Sequence, residues 1–207
     1  TVTSASGATN VAAVVLNGQY TGTVPAGMTA GTDGENSGII SLGDSSVGIF
    51  GKNGSRLSNK GTITVLNSSA GLMTSGTGSL VTNSGTINLG AGSQGMVLKD
   101  GTTIDNLGTG NILSSGAGTV GIFADNITGT VTNGGIIDLN GDKSMGIYSV
   151  GTNAATINNS GTIKVGNSAN ANDPAIGIYS GIAGSTVTNT GILTSGDNSI
   201  GVYSNNG

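Results

Sequence analysis

The sequence predicts an all-β chain coiled as a right-handed parallel β-helix, a solenoid with about three short strands per turn and roughly seven turns. Three observations predict it. An Asn-x-Gly triplet recurs seven times, and a Gly-apolar-apolar triplet follows each one. Apolar residues within each repeat alternate with period two, as in strands that keep one face inward. The composition is 40 Gly and only 2 Pro in 207 residues, with 8% charged and 3% aromatic side chains. So few charges do not suit a disordered chain, and so few rings leave a core built from many small aliphatic contacts.

Residues 1–35 match the repeat poorly. They contain Val11 to Leu16, Asn17-Gly18 and Val24-Pro25. We read them as a degenerate rung or N-terminal cap, because an uncovered strand edge invites association. Deleting them is then expected to provoke aggregation. Residues 36–207 are the β-helix repeats, cut in mid-repeat at the C-terminal end, which marks the chain as a piece of a longer or processed protein.

The Asn-x-Gly triplets begin at Asn36, Asn59, Asn83, Asn106, Asn133, Asn159 and Asn189. The second triplets begin at Gly48, Gly71, Gly95, Gly121, Gly146, Gly177 and Gly201. From the second glycine to the next Asn-x-Gly glycine the chain takes a steady 13 to 15 residues (48 to 61, 146 to 161). From the first glycine to the second it takes 10 in most repeats, but 13 from Gly108, 11 from Gly135 and 16 from Gly161. Insertions therefore concentrate in one segment, where solenoids place side loops and often binding surfaces.

Three sets of apolar residues predict the strands. Two and four after the first glycine stand Ile40 and Leu42, Ile63 and Val65, Ile87 and Leu89, Ile137 and Leu139, Ile163 and Val165. The fourth repeat gives Gly110 and Ile112 and the seventh Leu193 and Ser195, two weak spots. Val47 and Ile49, Val120 and Ile122, and Met145 and Ile147 flank the second glycine. Leu57, Val81, Ile104, Val131, Ile157 and Val187 stand two before the Asn. Such strands bury their inner faces only by pairing with the next repeat. Each turn advances about 4.8 Å, and seven give a rod on the order of 34 Å. The right hand follows from the handedness of parallel crossovers.

Turn chemistry fills the rest. Asn tolerates left-handed backbone, and stacked amides can bond along a rod. The seven Asn are thus expected to form a structural ladder. The glycine two positions on suits a corner or positive φ. A hydroxyl column, Ser46, Ser69, Ser93, Thr119, Ser144 and Ser199, precedes the second glycine by two, with Ala175 the exception.

Candidate sites are few. There is no Cys and no His, so no thiolate or imidazole metal site exists, and no catalytic residue, cofactor or metal is assigned. Net charge is −4 with no basic stripe for nucleic acid. No run approaches a membrane-spanning length. Asp44, Asp142 and Asp197 share a column four before the second glycine. Two turns separate the last two by about 9.6 Å, within reach of a glycosidase pair. The Gly-Asp-x-Ser turn accounts for all three more simply. A Thr column, Thr62, Thr86, Thr109 and Thr162, suggests ice binding, but Ile39, Ile136 and Ile192 interrupt it.

Two features stand as candidate ligand contacts. Tyr148, Tyr179 and Tyr203 continue a column begun by Phe50, Met73, Val97 and Phe123. They form either an outward aromatic ridge or structural rings packed under a loop. Asn170, Asn172 and Asp173 lie in the longest insertion, 167–174, read as a flexible surface excursion.

Asn159-Ser160-Gly161-Thr162-Ile163 and Ser144-Met145-Gly146-Ile147-Tyr148 carry a resemblance that covers residues 36–207. The motif resembles the passenger-region repeats of large bacterial autotransporter adhesins, most like those of fusobacterial outer-membrane adhesins. The resemblance implies type V secretion through an outer-membrane β-barrel continuous with the full chain. It implies a bacterial cell-surface or secreted location and attachment to a host-cell or bacterial surface glycan or protein. We expect a monomeric, non-enzymatic adhesin stalk. A polysaccharide-active β-helix enzyme is the alternative, and an ice-binding solenoid a further one. A trimeric adhesin head uses repeats about half this length.

Overall fold

In the computed structural model, which describes residues 1–5, 7–19 and 31–205, every regular element is a strand. The strands fall into three parallel sheets, one strand of each per turn, and the chain is a right-handed parallel β-helix of about seven turns. Each strand pairs with its counterpart one repeat away, as the period-two pattern requires.

The first sheet holds seven strands: Gly34–Asn36, Arg56–Asn59, Leu80–Asn83, Thr103–Asn106, Thr130–Asn133, Thr156–Asn159 and Thr186–Asn189. The second holds Val2–Thr3, Ile39–Leu42, Thr62–Val65, Thr86–Leu89, Asn111–Ser114, Ile136–Leu139, Thr162–Val165 and Ile192–Ser195. The third holds Ala12–Asn17, Val47–Lys52, Ala70–Ser75, Gln94–Lys99, Val120–Asp125, Met145–Val150, Ala175–Ser180 and Ser199–Ser204. In the 1–35 region, Val2–Thr3 pairs with Ile39–Leu42 and Ala12–Asn17 with Val47–Lys52. Val24-Pro25 lies outside the described residues.

The core is a column of aliphatic side chains from all three sheets. Ile63, Ile87, Ile112, Ile137 and Ile163 come from the second sheet, Ile104 and Val131 from the first, and Ile122 and Ile147 from the third, all fully buried. β-branched residues dominate because they pack well on a pleated face.

The third sheet departs from simple alternation. Val47, Val120 and Met145 are only half-buried, whereas Ile49, Ile122 and Ile147 are fully enclosed. The other inward position lies two residues after the Ile, where Thr74, Leu98, Ala124 and Ser149 are buried. The glycine between the flanking pair causes this. A Cβ on Gly121 would lie 2.6 Å from the Gly146 carbonyl oxygen and 2.7 Å from Ile137 Cγ2. The backbone there approaches the core so closely that no side chain fits, and the preceding residue turns outward.

The fourth repeat contains a two-residue insertion rather than a weak strand. Ile112 pairs with Ile87 and Ile137, and Ser114 with Leu89 and Leu139. Gly110, not Gly108, occupies the tight corner: its Cβ would meet Asn106 Oδ1 at 2.3 Å and the Asn83 carbonyl oxygen at 2.4 Å. Asn111 therefore takes the outward place expected of Thr109, and the column runs Ile39, Thr62, Thr86, Asn111, Ile136, Thr162, Ile192.

Left-handed backbone also falls elsewhere than expected. Neither the ladder Asn residues nor the Asn-x-Gly glycines are among the described residues with positive φ. Those positions include Ser45, Ser68, Lys143 and Asn198, three before the second glycine, and Asn53, Asp100 and Asn126, five after it. They bracket the third-sheet strand at both ends.

Candidate functional site

One internal spine and three outward features could serve a function. The spine is the Asn ladder. Asn36 Nδ2 donates to Asn59 Oδ1 at 2.8 Å, Asn59 to Asn83 at 2.8 Å, and Asn83 to Asn106 at 2.8 Å. Asn106 donates to Asn133 at 2.8 Å, Asn133 to Asn159 at 2.8 Å, and Asn159 to Asn189 at 2.7 Å. Every amide from Asn36 to Asn159 is buried. Each Nδ2 also points at carbonyls at the corner, as Asn83 does to Gly85 at 3.2 Å and Asn111 at 3.4 Å. The ladder satisfies donors and acceptors that a sharp buried corner would otherwise leave unpaired.

The aromatic column lies on the outer face of the third sheet. Phe123, Tyr148, Tyr179 and Tyr203 are in register, with ring centroids 5.6, 4.9 and 5.4 Å apart in turn. Tyr203 is 42% exposed at the last rung, and Tyr148 and Tyr179 are half-buried. Each of those two rings lies between two others. Their faces are covered, and a sugar has no open ring face to lie on there.

The long loop sits at the corner between the second and third sheets, with Asn170, Asn172 and Asp173 exposed. It is pinned rather than free. Ser168, 3% exposed, donates from Oγ to Asp142 Oδ1 at 3.0 Å and to the Asp173 carbonyl at 2.7 Å. The Ala169 amide donates to Asp142 Oδ1 at 2.8 Å, and Lys143 Nζ meets Asp173 Oδ2 at 2.6 Å. These contacts, the Ala169 amide foremost, hold the Asp142 carboxyl below its ordinary pKa. Asn198 Nδ2 also donates to the Ser168 carbonyl at 3.0 Å. Tyr148, Tyr179 and Tyr203 are brought together, and so are Asn170, Asn172 and Asp173. No hydrogen bond or ring contact joins the two sets among the described residues.

Two of the three acidic-column side chains, Asp44 and Asp142, cap turns, and Asn67 and Asn167 do the same in other rungs. Asp44 Oδ1 accepts the Asn67 amide at 2.8 Å, Asn67 Oδ1 the Ala91 amide at 2.9 Å, and Asn167 Oδ1 the Asp197 amide at 2.8 Å. Each side chain ties its own turn to the turn of the next rung. Among the described residues no group of three or more acidic side chains is placed to hold a metal ion.

The third outward feature is a groove that sequence reasoning missed. Asn88, Leu113 and Asp138 stand in register on the outer face of the second sheet. With Leu89, Ser114, Ser115 and Asn140 they line an open cleft of about 380 Å³. It lies at the start of two lengthened turns, 115–119 and 140–144, each five residues against four in the turns 43–46, 66–69 and 90–93 and nine in the turn 166–174. The insertions were legible, but the apolar Leu113 at an outward position was obscured by the two-residue shift of its strand.

A stack of turns built on one pattern and joined by an Asn spine defines a class: a parallel β-helical repeat. The particular family follows from comparison. The model of the BigA third pectate lyase-like domain matches residues 2–110, and the chain belongs to that family. BigA is a bacterial autotransporter-like adhesin. No curated protein and no solved structure matches the chain.

Proposed function

We propose that this chain is a stalk segment of a bacterial surface adhesin, part of an autotransporter passenger of the fusobacterial outer-membrane type. In this reading type V secretion exports it through an outer-membrane β-barrel in the full protein. The rod then stands on the cell surface, or in the secreted product, as a monomer that carries attachment to a host-cell or bacterial glycan or protein. The observation that carries the reading is the unbroken stack. One repeat serves seven times, the Asn ladder closes the corner between the first and second sheets at each rung, and departures from the rule fall in turns on the outside. Such a rod transmits position along its axis and presents side features at fixed spacing. Membership in the BigA domain family supports an adhesive setting.

We read the segment as binding and not catalytic. The family name is pectate lyase-like, but Asp44 and Asp142 are spent on turn amides. A glycosidase needs a pair of carboxyl groups about 5–10 Å apart across its substrate, and Asp138 is the one acidic residue that lines the outward groove described above. Polystyrene beads coated with the chain should adhere to epithelial cells or to co-aggregating bacteria more than beads coated with an unrelated β-helix. The same preparation should release no product from polygalacturonate. Absence of adhesion on all surfaces tried, together with release of unsaturated oligosaccharide, would replace this reading with the enzymatic one.

A further inference from the structure

We infer that the groove over Leu113 is a binding site for a neutral glycan, resting on the adhesive reading above. Three consecutive rungs place Asn88, Leu113 and Asp138 in line. Successive rungs are about 4.8 Å apart, so the two polar ends stand roughly 9.6 Å from each other with an aliphatic floor between them. Asn140 closes one side from the turn above.

The groove carries acceptors and donors side by side. Asn88 Nδ2 spends one N–H on Thr64 Oγ1 at 3.2 Å, and Asn140 Nδ2 one on Asp138 Oδ1 at 2.8 Å, which leaves each amide a second N–H. Lys164 Nζ lies 3.4 Å from the same Asp138 oxygen. Asn88 Oδ1, Asn140 Oδ1 and Asp138 Oδ2 accept no hydrogen bond from the described residues. The groove thus offers three acceptors and two amide donors around one half-buried Leu, a mixture that sugar hydroxyls, which both donate and accept, can match. A ligand that fits supplies several hydroxyl or amide donors on its rim and one apolar face. A neutral pyranose has that form. An anionic sugar would bring its carboxylate against Asp138, and a peptide side chain would leave acceptors unmatched.

Two other clefts are poorer in this chemistry. One, about 300 Å³, is lined mainly by Ser, Gly and short aliphatic residues beside Met73 and Gln94. The other, about 410 Å³, is lined by Thr, Ser, Gly, Ala and Leu side chains. The groove also borders two of the three turns after residue 39 that join the second sheet to the third and are longer than four residues. The mouth is open and shallow, so affinity for one sugar is weak and attachment depends on many copies on a cell surface.

The test is saturation-transfer NMR with the chain and neutral oligosaccharides ending in mannose, galactose or N-acetylglucosamine, alongside a sialylated oligosaccharide. At least one neutral sugar should give transfer from a single ring face. The variant Asn88→Ala/Asn140→Ala should weaken binding by about tenfold. Leu113→Asn should weaken it similarly, since it polarises the floor without touching the core. Tyr179→Ser on the ridge should leave it unchanged. All three variants must melt near wild type, which their outward positions favour. If one does not, Leu113→Met, which keeps an apolar floor, should retain binding and still separates folding from recognition. No transfer from any neutral sugar, binding of the sialylated sugar alone, or equal binding by the groove variants overturns the inference. Beads that still adhere to cells when no sugar binds would leave the adhesin reading standing while this site falls.

Discussion

Cutting the Asn ladder in its middle should cost far more than cutting it at its end. Asn106 is fully buried and takes part in two links, accepting from Asn83 at 2.8 Å and donating to Asn133 at 2.8 Å. Asn106→Ala leaves Asn83 Nδ2 with only its longer carbonyl contacts and Asn133 Oδ1 without its amide donor. A buried polar group deprived of its partner costs about 1–3 kcal/mol, so the two broken links cost about 3 kcal/mol together. Asn189 is exposed and takes part in one link, from Asn159 at 2.7 Å. Asn189→Ala should cost about 1 kcal/mol or less. The double variant Asn83→Ala/Asn106→Ala sharpens the test. Each single substitution breaks two links, but the pair shares one, so the double breaks three rather than four. At about 1.5 kcal/mol per link the double costs about 4.5 kcal/mol instead of 6, a coupling of about 1.5 kcal/mol between adjacent rungs. Urea unfolding followed by far-UV circular dichroism, with amide exchange of the central rungs, measures the wild type, the three single variants and the double variant. Equal midpoints for the Asn106 and Asn189 variants, or a double variant equal to the sum of its parts, would refute the ladder as a cooperative structural device.

Three further outcomes are expected. Ile122→Asp puts a charge between Met96 and Ile147 at a fully buried position and should cost at least about 4 kcal/mol, read as loss of the folded signal on a thermal melt. Ser149 is fully buried and its Oγ has no partner, so Ser149→Ala should be neutral or stabilise by up to about 1 kcal/mol in urea. Because the carboxyl of Asp142 is held low in the folded chain, its contribution is present above the unfolded value of about 3.9 and is lost as pH falls through the lower folded value. Exchange protection of the Ala169 amide should therefore persist at pH 4 and disappear at more acid pH, whereas Asp142→Ala should lack it at every pH.

Much of the scaffold was legible because repetition makes each column its own control. Ile40, Ile63, Ile87, Ile137 and Ile163 identify an inward position without any knowledge of the neighbours, and all are buried. The Asn column was legible as a ladder for the same reason. Its stated backbone role was not, since the left-handed turns sit at positions as varied as Ser45, Lys143 and Asn126. Residue type there is permissive, so no column stands out.

The sequence alone determined the strand period, the three-sheet turn and the corner chemistry, because each depends on contacts repeated seven times over. Only the tertiary structure decided which residues share a rung where the repeat changes length. The shift of Ile112 and Ser114 into the second sheet, the outward turn of Val47 and Val120 and the meeting of Asn88, Leu113, Asp138 and Asn140 all follow from local register. Register is a property of paired strands. A two-residue insertion keeps the inward face inward, but it moves every outward neighbour by two places.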